Sequence, residues 1–212
     1  MVPSFRQLGE RYFAVQLERQ RGELDESLEA MESFAGLEHE ERYAATNKAM
    51  MQVRHLLAQL GRIWHEVLPT GLYLRSIGVL VDHAARRVVA DVVRLQGIPQ
   101  TALSNLSDLV ACLVEAAREL LEGEGGKATE AVPCWPQLEA LAGLLEVVQA
   151  PAHYVHGARR GQLAVLLTNL NLAFEDEEAQ ELVRRLVAFD NELALSLVQK
   201  MRELAAGGEG AR

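Results

Sequence analysis

The chain has 212 residues, with 30 acidic against 21 basic side chains and a formal charge of −9; 49% of it is apolar and 5% aromatic. That composition is globular, which excludes wholesale disorder, and the acid excess argues against a protein that works on phosphate backbones. Two cysteines exclude a disulfide scaffold and a four-cysteine zinc module, so a reduced, cytosolic setting is expected.

The N-terminus has no apolar core of a secretory signal, and charge interrupts each apolar run well short of the ~20 residues a membrane span requires. Residues 4–34 read as a charged amphipathic helix through Leu8, Tyr12, Val15, Leu17, Leu24, Leu28 and Met31. Its acids make it a poor ligand for anionic lipid. From Val53 the apolar residues Leu56, Leu57, Leu60, Ile63, Trp64, Val67 and Leu68 define one face of a second helix. Pro69 stops it, and Thr70 is placed to cap the next. The stretch from Leu72 to Val93 has a wide apolar stripe, with charge at Arg75, Asp82, Arg86, Arg87, Asp91 and Arg94. Its valines suit a strand, but spacings of three and four over more than twenty residues favour a central helix.

Gly97 and Pro99 break the chain, and Ser104 or Ser107 opens a helix that runs to Leu121. Residues 122–130, with three glycines in nine, read as a flexible exposed loop and a possible hinge. Trp135-Pro136 restarts order through Leu138, Leu141, Leu144, Leu145 and Val148. Pro151 ends or kinks that helix, and Gly157 and Gly161 bracket a short basic turn. Glu175 to Glu178 place acids at a helix start, after which Leu182, Leu186, Phe189, Leu193, Leu197, Met201 and Leu204 share one face of a single helix. The predicted fold is all-α, a bundle of about six or seven helices. It divides into an N-terminal segment 1–122, a flexible loop 123–134, a segment 135–205 packed on the first as one continuous domain, and a disordered tail 206–212.

Chemistry is sparse. His153 and His156 are three apart, which puts both rings on one helical face, but no third ligand stands near. Surface or groove histidines are the preferred reading, and a helical metal-binding enzyme using the pair is the alternative. His65-Glu66 starts like a zinc-protease motif, yet Pro69 occupies the place of the second histidine. Cys112 falls on an apolar face as a small core residue, and Cys134, bordering the loop, is expected at the surface. No glycine-rich loop ends in Lys-Ser/Thr. No catalytic residue, metal site or cofactor is predicted. Arginine pairs stand at 86–87, 159–160 and 184–185, usually solvated edges or ion partners of their own helix. Trp64 is most simply core. Trp135 is either a pin between the two segments, the better reading, or an exposed anchor.

An ordered series of motifs carries a resemblance: Val2 to Gly9, Gln20 to Leu24, Leu60 to Pro69, Tyr73, Ile77 to Leu80, Trp135, Phe174-Glu175 and the helix from Leu182 to Met201. With near-matching spacing from residue 2 to about 204, it resembles the C-terminal part of the Zeste-White-ten family. The chain departs from the family at Gln96 to Pro99, at 97–107, in the 122–134 loop and at Cys134, where a basic residue is expected. The resemblance implies a helical rod of the tethering-complex (exocyst-like) type, far shorter here than whole family members. It implies a non-catalytic scaffold that tethers Golgi-derived vesicles at the endoplasmic reticulum. In mitosis it implies a role at the outer kinetochore and spindle, in dynein recruitment and checkpoint signalling. Implied partners are an α-solenoid subunit (Rod or the neuroblastoma-amplified-sequence protein), Zwilch and SNARE-associated tether subunits, with no nucleic acid. Membrane association is then peripheral, without insertion, and the protein cytoplasmic. Arg159, Arg160, Arg184, Arg185 and Trp135 are the residues expected nearest the partner.

Overall fold

The computed structural model describes residues 2–155, 157 and 159–209, with side chains for all of these except 2–6, 160 and 207–209. Among the described residues the regular structure is all helical, as the periodicity predicts. α1 spans Val2–Met31, α2 Glu40–Val67, α3 Thr70–Val93, α4 Gln100–Leu121, α5 Ala128–Ala131 and α6 Trp135–Gln149. α7 spans Pro151–Val155, α8 Arg160–Ala173, α9 Asp176–Leu186 and α10 Asn191–Glu209. None of the described helices is long and apolar enough to cross a membrane.

Among the described residues ten helices stand where six or seven were predicted, and the extra ones have local causes. α5 is a single turn inside the expected loop, and α7 is a turn begun by Pro151. The predicted terminal helix is two, because the chain turns at residues 187–190 between α9 and α10. α10 continues to Glu209, into the stretch read as tail, and 210–212 lie outside the described residues. α2 starts thirteen residues before Val53, with Thr46, Ala49 and Met50 buried on its inner side. Prolines, not hydroxyls, open the next two helices: Pro69 and Pro99 take the N-cap positions, at φ −56° and −58°. Their carbonyls accept from Tyr73 N–H and Ala102 N–H, each at 2.9 Å.

Packing follows a row. α1 lies on α2, α2 on α4, α4 on α6, α6 on α8 and α8 on α10, while α3 backs α1, α2, α4 and α6, and α9 closes against α10, α8 and α6. The central place of α3 matches its wide apolar stripe: Ile77, Leu80, Val81, Ala84, Ala85 and Val88 are all completely buried. A single apolar cluster runs from Leu24 to Met201. The fully buried residues that α1 gives it come from its second half, while Phe13 and Leu17 pack half-buried against its edge. Leu24, Leu28 and Met31 are buried, whereas Leu8, Tyr12 and Val15 of the predicted stripe lie at the surface.

The turn from α1 to α2 is held by one side chain. Arg42 donates to the carbonyls of Met31 (2.9 Å) and Ser33 (2.8 Å) and to the Glu32 carboxylate (2.8 Å). Glu32 takes φ +59° there, a left-handed turn that swings Phe34 and Leu37 into the core. Asn105 Nδ2 donates to the Leu37 carbonyl at 2.8 Å and fixes this turn to α4.

Candidate functional site

Arg159, Arg184 and Arg185, singled out by sequence, are engaged within the fold. Arg159, at the start of α8, donates to the Glu146 carboxylate and to Tyr154 Oη (2.9 Å), with its guanidinium 5.6 Å from the Tyr154 ring centroid. Arg160 opens α8; its side chain lies outside the described residues, as do His156 and Ala158. Arg184 and Arg185 both reach Glu181 on the preceding turn of α9, and their hydrogen bonds and charge hold its carboxyl below the usual range, Arg185 foremost. Arg185 Nη1 also donates to the Val93 carbonyl at 3.0 Å, which ties α9 to the end of α3. Trp135 is 1% exposed, inside the core cluster, with the Arg118 guanidinium 5.8 Å from its ring centroid. It offers no surface to a partner and pins α6 instead.

His153 is exposed on α7. Among the described residues, no three His, Cys, Asp or Glu side chains gather as a metal site. His65 Nε2 meets the Glu124 carboxylate at 2.8 Å and stands edge-on to Tyr73. Cys134, expected at the surface, is buried. Its N–H donates to Asp82 Oδ1 at 2.7 Å, and burial, reinforced by that carboxylate, pushes its thiol up to about 11. Nothing in these contacts sets up a nucleophile or a proton shuttle.

A cleft of mixed polarity lies along the exposed edge of α3. Arg75, Val79, Asp82 and Arg86 follow one another by three or four residues on that edge. α1 forms one wall and the 126–133 stretch with α5 forms the other, enclosing a cleft of about 550 Å³. Gly78 makes the second wall possible, because a Cβ there would sit 2.4 Å from the Ala131 carbonyl oxygen. Arg21, Arg75, Arg86 and Lys127 line this cleft against two carboxylates, Asp82 and Glu130. A cationic lining in a chain of charge −9 is a local reversal.

The carboxylates are already engaged. Arg86 Nε donates to Asp82 Oδ2 at 2.6 Å and Lys127 Nζ to Glu130 at 3.0 Å. His83, also on the lining, meets Asp25 of α1 at 2.6 Å. Arg21 reaches Glu18 through Nη1, while its Nε is buried with no acceptor. Arg75 is exposed and forms no ion pair among the described residues. At Arg75 and Val79 the cleft runs into a second one of about 490 Å³, walled by Phe13 and Leu17 of α1 and by Leu68 and Leu72. Apart from Glu10, Arg75 and Ser76 its lining is apolar. Arg75 and Arg86 stand in the sequence as the charged side of one helix, whereas no linear spacing relates Arg21 and Lys127 to them.

The family model of the ZW10 C-terminal helical domain matches residues 48–201. Over 195 residues the chain is 30% identical to the centromere/kinetochore protein zw10 homolog of Mus musculus and 29% identical to that of Rattus norvegicus. Each alignment covers 88% of this chain and 24% of the relative, so the chain spans about a quarter of the length of the curated relatives it matches.

Proposed function

Because this chain belongs to the ZW10 C-terminal helical domain family, we propose that it is a non-catalytic docking module of a kinetochore and vesicle-tethering scaffold. The observation that carries this reading is the extent of the family match. It runs from within α2 to within α10, and so follows the packed helical body. A row of helices locked by one core is a stiff support, and stiffness lowers the ordering cost of binding.

The finer reading is that this domain seats an α-solenoid subunit, Rod at the outer kinetochore or the neuroblastoma-amplified-sequence protein at the endoplasmic reticulum. Zwilch, dynein recruitment and SNARE-associated tether subunits belong to the assemblies so formed. Membrane association is then peripheral and made through those partners. Helix-on-helix docking of this kind buries on the order of 1,600 Å², with a few anchors dominating. Arg159 and Arg184, both exposed beside their intramolecular partners, remain the proposed partner-facing residues of the C-terminal half, together with Arg160 and Arg185. Calorimetric titration of the chain into a purified solenoid fragment of either partner tests the reading. Saturable one-to-one binding is expected. Absence of binding by a chain whose far-ultraviolet circular dichroism is helical overturns the solenoid docking.

A further inference from the structure

We propose that the groove along α3 is a docking cleft for an acidic, amphipathic segment of a protein partner. Its carboxylates meet Arg75, Arg21 and Lys127, and its apolar side chains enter the channel between α1 and the start of α3. The proposal rests on the reading of this domain as an interaction module, but not on which subunit it serves.

Charge complementarity selects the occupant. Four cations against two carboxylates line the cleft, while the chain as a whole repels anions. One of the cations has all its donors to spare: Arg75 is exposed on the lining and forms no ion pair among the described residues, so an incoming carboxylate gains a charge-assisted bond there without displacing another. Arg86 and Lys127 can turn from Asp82 and Glu130 toward an incoming carboxylate, both being exposed at the mouth.

Shape and polarity select an amphipathic peptide over a free anion. The cationic cleft and the apolar channel are one groove, because Arg75 and Val79 line both. From Leu72 to Arg86 the edge of α3 extends about 21 Å at 1.5 Å per residue. That length takes three to four turns of a helix, with carboxylates at one end and apolar side chains at the other. An anionic bilayer is the poorer match, since the channel is walled by α1 and the chain's net charge opposes such a surface.

The test pans a phage-displayed library of random 16-residue peptides against the whole chain. Selected peptides are expected to combine Asp or Glu with Leu or Phe. The best of them, made synthetically with a fluorophore, is then titrated by anisotropy. Arg75→Glu with Lys127→Glu is expected to weaken it at least tenfold, and so is raising sodium chloride from 50 to 500 mM. Arg62→Glu, at an exposed position of α2 outside the groove, should leave affinity unchanged. Both variant sites are exposed, and circular dichroism identical to the parent confirms the fold. The proposal is overturned if no peptide is selected, if the selected peptides lack acidic residues, or if the double variant binds equally. It is also overturned if the double variant loses only binding to vesicles containing phosphatidylinositol 4-phosphate, because the groove then serves a membrane. A solenoid fragment that fails to bind while the acidic peptide binds removes the solenoid reading alone. A fragment that binds the parent and the double variant alike, with no peptide selected, removes the groove alone.

Discussion

Gly78 faces α5 so closely that any side chain there forces a neighbour to move. An added Cβ would lie 2.4 Å from the Ala131 carbonyl oxygen and 2.9 Å from the Ala131 Cβ. Both are fixed by backbone, so relief needs a shift of the α5 turn, which buries Ala128 and Val132 and leads to the Cys134 N–H bond to Asp82. Two effects oppose each other on Gly78→Ala. Helix propensity favours alanine by about 1 kcal/mol, while overpacking a fitted contact costs about 1–3 kcal/mol. With a backbone carbonyl as the obstacle, the steric cost should prevail. Urea unfolding followed by circular dichroism is expected to show a net loss of about 1–2 kcal/mol. Gly71→Ala supplies the contrast: it lies in the first turn of α3 with nothing within 4 Å, and so should be neutral or slightly stabilising. Equal stability of both variants would mean that α5 is not held close to α3.

At the scale of elements, the turn between α9 and α10 shows what periodicity can and cannot carry. Leu182 and Leu186 precede it, and Leu193, Leu197 and Met201 follow it, all buried on one core. The interruption at residues 187–190 is about one helical turn long, so steps of three and four persist across it and the two helices read as one. Only capping chemistry marks the break. Asp190 Oδ1 accepts from Leu193 N–H at 3.0 Å, the N-cap to N3 geometry. The start of α2 escaped notice for a related reason, because Thr46 and Ala49 are too weakly apolar to extend the stripe back from Val53. The long, strongly apolar helices α3 and α6 were legible in the sequence within a few residues. Asp190→Ala should lower stability by about 1 kcal/mol, whereas Asp190→Asn, which keeps an acceptor, should lose far less. If the two variants lose the same amount in urea unfolding, the side-chain cap does not define the start of α10.

For the whole molecule, family and helical class could be read from an ordered series of motifs, whereas the groove could not. Its cations come from residues 21, 75, 86 and 127, on three separate segments that no linear spacing relates. Of the conspicuous arginine pairs, Arg184 and Arg185 meet Glu181 of their own helix, as local spacing predicts, whereas Arg159 meets Glu146, an acid that only the fold brings to it. The loop at 123–134 poses the same problem at larger scale. Three glycines read as a hinge, but Ala128, Val132 and Cys134 are buried, and α5 packs against α3, α4 and α6. A segment anchored at both walls transmits unfolding between the halves it joins, so the chain should melt as one cooperative unit. Trp64 and Trp135 report on the two sides. Trp64 stands in α2, tilted against Phe13 of α1 at 5.6 Å, and Trp135 starts α6 beyond the loop. In Trp135→Phe the remaining indole follows the first side, and in Trp64→Phe the second. Within each variant the fluorescence and far-ultraviolet transitions are expected to share one midpoint, although both variants should melt below the parent because a core ring has been reduced. Separate midpoints, with Trp64 fluorescence lost before the bulk helix, would establish 122–130 as a hinge between two independently melting units.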